Sequence, residues 1–485
     1  MDFQTGLFID GKYVSSSTNE TLSVVNPYDK KVVAEMQCAS ETDVNNAVHA
    51  AARAFPAWKA TSGSQRTAMM NKLADLIEEN IEKLAKLESL SMGQPVSTAK
   101  RFIAGSFSLW RYYAGYAGKV TGDTFPVEDG MYKIVKYEPL GVCAGICAWN
   151  ASHLLAAWKL APAVAAGNTC VIKSSEKSPL SLAQYGKLLN LAGFPAGVIN
   201  ILTGDGRVGA QLASHMDIAK ISFTGSIATG RAVQIAAAKS NLKKVTLELG
   251  GKSPAIVFAD ADIENAVHNT SIGFLRNSGQ VCVAASRILV QEDIFQKFAE
   301  RLKEAYLAAA TQMGDPSLDE TEYGPLADEK QHQNVLRFLE DSKKEGIQVL
   351  AGDEARTSKA DNSFVYPTVL FKPHLNSSAY TQEIFGPVVC LNSFKDEEEA
   401  VMLANNTPYG LGSAIYTSDI TRALRIADRI ESGMVGINSA FASNAQTPFG
   451  GWKQSGYGRE GGLEGIKNYL QTKTIHINLN MTAQH

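Results

Sequence analysis

Val142-Cys143-Ala144-Gly145-Ile146-Cys147-Ala148 is a short apolar run that meets Trp149-Asn150. It leads into the apolar segment Leu154 to Ala166, then Gly167-Asn168, Thr169-Cys170-Val171-Ile172 and Lys173-Ser174-Ser175-Glu176. The middle segment is long enough for a buried helix, and Gly167-Asn168 is a good helix stop. Thr169–Ile172 reads as the next strand. Lys173 to Glu176 then lies just past a strand's carboxyl end, where open α/β sheets bind ligands. Short apolar runs alternating with helical stretches predict a doubly wound α/β domain.

The pattern extends in both directions. Leu73, Leu76, Ile77 and Ile81 give residues 65–91 helical periodicity. A helix near 178–193 leads through Phe194-Pro195 to a strand at Val198–Leu202. Ile218–Phe223 is a further strand, followed by Thr224-Gly225-Ser226 and a helix at 227–238. Gly225 and Gly230 bracket that helix start, where free N–H groups can meet a phosphate. Near residue 250 a second α/β unit begins. Thr474–Leu479 alternates like an exposed or subunit-pairing strand, and the last residues, 480–485, are expected to fray. Gly204-Asp205-Gly206-Arg207-Val208-Gly209 spells G-x-G-x-x-G, but the pattern alone is weak and reads here as a strand-to-helix turn.

The second unit carries the chemistry. Cys282 sits in Ser278-Gly279-Gln280-Val281-Cys282-Val283-Ala284-Ala285-Ser286-Arg287, among small residues that leave room for a substrate carbonyl. Upstream lies Glu248-Leu249-Gly250-Gly251-Lys252, where paired glycines would let the glutamate swing. A thiol nucleophile and a mobile carboxylate base suffice to make and hydrolyse a thioester.

Composition narrows the alternatives. The 485 residues exceed one core, so two or three domains are expected. Apolar residues are 45% and charged residues 20%, as in an ordinary soluble protein. A net charge of −3 without basic runs disfavours nucleic acid and anionic membranes as partners. No long apolar stretch predicts a membrane span, and the start shows neither secretory signal nor transit peptide. Six scattered cysteines predict no disulfide framework and a reducing, cytoplasmic location. Cys143 and Cys147 lack a second ligand pair, so no metal site is expected. Apart from Cys282, the cysteines read as inert.

Together, four motifs in order resemble the aldehyde dehydrogenase superfamily over nearly the whole chain. They are Leu247-Glu248-Leu249-Gly250-Gly251-Lys252, Gly279-Gln280-Val281-Cys282 with Ser286-Arg287, Glu383-Ile384-Phe385-Gly386-Pro387 and Pro448-Phe449-Gly450-Gly451. The resemblance implies a Rossmann-like cofactor domain over roughly 1–116 and 139–249, and an α/β catalytic domain over 250–449. A small oligomerisation β-extension would combine 117–138 with 450–485, in a homodimer or homotetramer. Cys282 would attack a small-molecule aldehyde, Asn150 and the Cys282 N–H would hold the oxyanion, and Glu248 would activate water. The resemblance implies NAD as cofactor, with NADP as the alternative. Lys173 and Glu176 would meet its adenine ribose, Gly225 and Ser226 its pyrophosphate, and Glu383 and Phe385 its nicotinamide side. Leu249 and Trp149 complete that set. Ala151, Leu155, Trp158, Arg276, Val281, Val283, Ser443 and Phe449 would line the substrate tunnel.

This chain departs from the family at Ala148-Trp149-Asn150-Ala151-Ser152-His153, where Pro-Trp-Asn, a bulky aromatic and a proline are usual. Losing the first proline predicts a less rigid hold on Asn150. Ala151 predicts a wide tunnel for bulky, aromatic or long-chain aldehydes, unless neighbours refill the space. Arg276-Asn277-Ser278-Gly279-Gln280 resembles succinate-semialdehyde dehydrogenases, whose arginine grips a substrate carboxylate. Their second arginine would fall at Trp158. Arg276 is therefore read either as a carboxylate-binding residue or as one half of a local ion pair. Two rivals stand beside the oxidation reading. A CoA-acylating relative would lack Glu248, and an inactive scaffold is opposed by intact Cys282, Glu248 and Asn150.

Overall fold

The computed structural model describes residues 3–352, 363–440 and 444–480. Its central feature is a sheet with five adjacent parallel strands. Their spatial order is Lys244–Glu248, Lys220–Thr224, Val142–Ile146, Thr169–Lys173, Ile199–Leu202. Four of the five are buried at every residue, polar ones included, as strands are when helices cover both faces of a parallel sheet. The hairpin of Leu7–Ile9 and Lys12–Val14 extends one edge, and Gly456–Tyr457 caps the other.

The chain proceeds from Val142–Ile146 outward to Ile199–Leu202, then returns to the other side with Lys220–Thr224. The order therefore reverses between Val142–Ile146 and Lys220–Thr224. That switch point opens a crevice at the strands' carboxyl ends. Cys147–Asn150 leave one of these strands and Gly225-Ser226 the other.

The helix Ser152–Ala165 is buried along its entire length and stops before Gly167, whose φ is +93°. Two expected helices are each split. Residues 65–91 become Gly63–Glu79 and Ile81–Met92, because the Asn80 amide donates to the Leu76 carbonyl at 2.8 Å and ends the first turn sequence. The stretch near 178–193 becomes Pro179–Ala183 and Tyr185–Leu191, broken at Gln184. The G-x-G-x-x-G segment is the turn from Ile199–Leu202 into the helix Gly206–Ser214, capped by Asp205, and sits away from the switch point.

A second sheet of seven strands holds the later half. Its order is Gln348–Ala351, Thr368–Phe371, Val388–Phe394, Arg287–Gln291, Pro254–Val257, Gly412–Tyr416, Met434–Ile437. All pairs are parallel except the first. A three-stranded antiparallel sheet joins Asp123–Glu128, Met131–Pro139 and Leu470–Asn478. It leaves Phe125, Val127, Tyr137 and Ile477 exposed. Residues 481–485 lie outside the described residues. Among those described, no helix is long and apolar enough to cross a membrane.

Candidate active site

Five of the six cysteines are buried, and Cys282 is the one that is partly accessible. It follows a tight reversal in which Asn277, Ser278 and Gly279 all have positive φ. Gly279 is required there: a Cβ would lie 2.3 Å from the Gly386 carbonyl oxygen. The Ser278 hydroxyl donates to Gly324 O at 2.7 Å, and the Gln280 amide donates to Asn277 O at 3.0 Å. These bonds fix the approach to the thiol. Surrounding protein pushes the Cys282 thiol up to about 12, and the Glu383 and Glu248 carboxylates add to the rise. Backbone N–H groups of Val283 and Cys282 oppose it. A Cβ on Gly250 would meet the Glu383 carboxylate and one on Gly251 the Cys282 carbonyl, so both groups lie against the segment that follows Glu248.

Asn150 belongs to the same space. Its side-chain Nδ2 donates to Gln280 O at 3.0 Å, leaving a second amide hydrogen free of that bond. Its main-chain carbonyl accepts from Gln94 Nε2 at 3.0 Å and from Asn277 Nδ2 at 3.2 Å. The loose hold expected from Ala148 is thus not what the structure shows. Two amides do the work of the missing ring, and Gln94 also donates to Asn277 Oδ1 at 3.0 Å.

Glu248 ends the strand Lys244–Glu248, and neither of its carboxylate oxygens has a hydrogen-bond partner. Burial raises its pKa well above the usual carboxylate range, with the Glu460 charge adding and Lys159 and Arg459 opposing. The glycines behind it serve close approach rather than unusual φ, since neither Gly250 nor Gly251 has positive φ. A Cβ on Gly250 would lie 2.1 Å from Glu383 Oε2, and one on Gly251 2.5 Å from Cys282 O. Sequence reasoning passed over Lys159 and Glu460. Lys159 Nζ contacts Glu460 Oε1 at 2.8 Å and Thr224 Oγ1 at 2.6 Å, all buried. The Ser222 hydroxyl also donates to Glu460 Oε1, at 3.0 Å. A lysine in the middle of an otherwise apolar helix was the available signal, because a buried charge demands a partner.

The residues expected at the cofactor fall at strand ends, at a helix start and in the loops beside them. Lys173 ends its strand buried, its Nζ 2.9 Å from Ser174 O and 3.5 Å from the half-exposed carboxylate of Glu176. Ser226 caps the helix Ile227–Lys239 by accepting from Thr229 N. Leu249 packs where a Cβ on Gly230 would come within 2.6 Å of it, so the helix sits tightly on the strand end. Glu383 Oε1 accepts from Gly251 N at 3.0 Å, and burial raises its pKa to about 7. Phe385 holds φ at +56° and meets Trp149 edge-on, ring centroids 5.3 Å apart.

On the substrate side, Ala151, Leu155, Trp158 and Phe449 share one apolar cluster, against which Cys282 and Val283 pack. Trp158 and Phe449 lie 4.5 Å apart between ring centroids, with their planes tilted by 30°. Val281 instead lines a cleft with Phe274, Glu383 and Phe385. Arg276 is exposed and forms no ion pair among the described residues, although its charge reaches Tyr323. Ser443 lies outside the described residues. His153 is buried and neutral, its pKa lowered to about 3, with Nδ1 2.8 Å from the Tyr185 hydroxyl.

With this geometry in hand, comparison with known proteins is informative. The Aldehyde dehydrogenase family pattern matches residues 13–475. An aldehyde dehydrogenase of Emericella nidulans is 45% identical over 476 residues, covering 98% of this chain and 95% of the relative. Human retinal dehydrogenase 2 is 42% identical, covering 98% and 92%. Among solved structures, a mutant of the P. syringae indole-3-acetaldehyde dehydrogenase AldA, in complex with NAD+ and IAA, superposes with a TM-score of 0.95. It is 35% identical, over 99% of this chain and 97% of that one. The chain belongs to the aldehyde dehydrogenase family.

Proposed function

We propose that the protein oxidises an aldehyde to a carboxylic acid with NAD, through a thiohemiacetal and then a thioester on Cys282. The observation that carries this reading is the convergence of one accessible cysteine, two buried carboxylates and a side-chain amide on a single crevice. The resting thiol is protonated, so attack on the carbonyl needs a proton acceptor, and Glu248, whose raised pKa makes it a stronger base once ionised, is the unpartnered carboxyl at hand. The resulting oxyanion is met by the free hydrogen of Asn150 Nδ2 and by the Cys282 N–H. Such a donor is worth ~10²–10³ in rate. Glu248 then activates the water that releases the acid.

The residues fit the cofactor. Lys173 and Glu176 stand at a strand end, Ser226 opens a helix at the switch point, and the Glu383 carboxylate is fixed by Gly251 N–H. NAD, when bound, supplies the hydride acceptor. A carboxylate at Glu176 suits free ribose hydroxyls and repels a 2′-phosphate, which favours NAD over NADP. The division into a cofactor unit over 1–116 and 139–249, a catalytic unit over 250–449 and a β-extension is supported by the three sheets. The Gly456–Tyr457 strand ties the tail to the cofactor sheet. The exposed apolar side chains of the three-stranded sheet support a homo-oligomer, dimer or tetramer. Six free cysteines support a reducing, cytoplasmic location.

Ala151 supports a substrate that is bulky, aromatic or long-chain, bounded by the Trp158–Phe449 wall. Arg276, exposed and free of any ion pair among the described residues, supports a second reading in which the aldehyde carries a distal carboxylate. The test is NADH and NADPH formation, without CoA, over acetaldehyde, hexanal, benzaldehyde, a cinnamaldehyde and succinic semialdehyde. Best turnover of the large apolar aldehydes is expected. Best turnover of succinic semialdehyde transfers the assignment to Arg276, and no turnover of any contradicts the oxidation reading.

A further inference from the structure

Beneath the Trp149–Asn150 turn lies a buried polar cluster that the reaction described above leaves without a task. The helix Ser152–Ala165 starts without a side-chain cap: its N-cap residue is Ala151, at φ −153° and ψ 54°. Its first residue, Ser152, is 2% exposed. The Ser152 hydroxyl lies 3.3 Å from Trp149 O, 2.7 Å from Ser178 Oγ and 3.1 Å from Glu88 Oε2. Glu88 comes from a different helix, Ile81–Met92, and is 1% exposed. Its other oxygen accepts from the Ser181 hydroxyl, and His153 Nε2 lies 3.7 Å from it. Three separate elements therefore meet at one hydroxyl, one residue past the turn that carries Asn150.

Burying a carboxyl at this depth is costly unless its bonds are made, so the cluster must repay that cost in a defined local shape. Burial raises the Glu88 pKa to about 7, with the two serine hydroxyls opposing. The hydrogen count gives the shape. Ser152 has one hydroxyl hydrogen and several acceptors. When Glu88 is protonated, its own O–H can serve Ser152 Oγ, which releases the Ser152 hydrogen to the Trp149 carbonyl. The turn is then pinned on both sides: Trp149 O by Ser152, and Asn150 O by Gln94 and Asn277. No proline flanks the turn, with Ala148 before it and Ser152 after it. These bonds supply the backbone restraint in its place.

We propose that Glu88, acting through the Ser152 hydroxyl, is a positioning residue for the oxyanion donor Asn150. The inference rests on the reading of Asn150 given above. Neither Glu88 nor Ser152 touches substrate. Their effect falls on the formation of the thiohemiacetal and its oxidation, not on the affinity for NAD.

The experiment is a double-mutant cycle on the full-length enzyme, read by the rapid-mixing rate of NADH formation, kcat and the KM for NAD. Ser152→Ala should slow NADH formation roughly tenfold, as loss of about one buried hydrogen bond would. The KM for NAD and the thermal midpoint should change little. In an Asn150→Ala background the same change should add almost nothing, because the donor it positions is gone. Glu88→Leu should show the Ser152→Ala defect. Glu88→Gln, which keeps a donor and an acceptor, should recover most of it. Undiminished NADH formation by Ser152→Ala, or losses that multiply with Asn150→Ala, overturn the proposal. An Asn150→Ala enzyme with normal turnover removes the reading beneath it instead, so the two failures are told apart.

Discussion

At the scale of single residues, the account depends on two groups whose surroundings favour the protonated form. Cys282 rests as a thiol, its pKa up at about 12 through burial and two neighbouring carboxylates. Its alkylation by iodoacetamide, without cofactor, should therefore keep rising with pH through 9 and beyond, in proportion to the thiolate fraction. A plateau near pH 7 would contradict the assigned environment. Glu88 is raised from 4.5 to about 7. Between those values the folded state holds more protons than the unfolded chain, so this group's contribution to stability is present below 4.5 and is lost as pH rises through about 7. The interval sets a ceiling on the order of 3 kcal/mol. Glu88→Gln should flatten that fall, gaining on the parent as denaturation midpoints are followed from pH 5 to pH 8. Equal pH slopes for the two proteins would show that Glu88 titrates as it does in the unfolded chain.

At the scale of elements, the reversal before Cys282 is the structure's tightest demand. Asn277 and Ser278 accept positive φ because side-chain bonds repay the strain, whereas Gly279 has no room for any side chain. Gly279→Ala should cost more than ~1 kcal/mol of stability and most of the activity, through displacement of the thiol. A variant with unchanged melting and turnover would refute the packing described. Much of this scale was legible in the chain. The buried helix Ser152–Ala165 and the strands around it announced themselves as apolar runs of the right length. Helix breaks at Asn80 and Gln184 were not legible, because periodicity continues across them and only a local amide bond or turn interrupts it. Cys282 and Glu248 were singled out by motif order, and Asn150 by the resemblance around Trp149. Lys159 left a signal, as a lone lysine in an apolar helix, but Glu460, Gln94 and Glu88 left none. Each acts through a partner distant in sequence, and pairing across 56 or 301 residues leaves no local spacing to read. The paired glycines were legible, but the close approach they permit was not: they admit Glu383 and the Cys282 backbone.

At the scale of the whole molecule, two largely parallel sheets carry the site residues, and a three-stranded antiparallel sheet stands apart from both in its pairing. It joins Met131–Pro139 with Leu470–Asn478 along the full strands while leaving apolar side chains in water. An isolated subunit would carry this exposure at a cost in solubility. Light scattering on the purified protein should give a dimer or tetramer, and a fully active monomer would contradict the assembly reading.

The central claim is that Cys282 carries an acyl group that Glu248 removes. Rapid-mixing measurement of NADH formation by Glu248→Gln, without CoA, tests it most directly. The account predicts a single-turnover burst followed by a steady rate at least ~100-fold below the parent enzyme, because oxidation precedes the blocked hydrolysis. A steady rate equal to the parent's with no burst would contradict it.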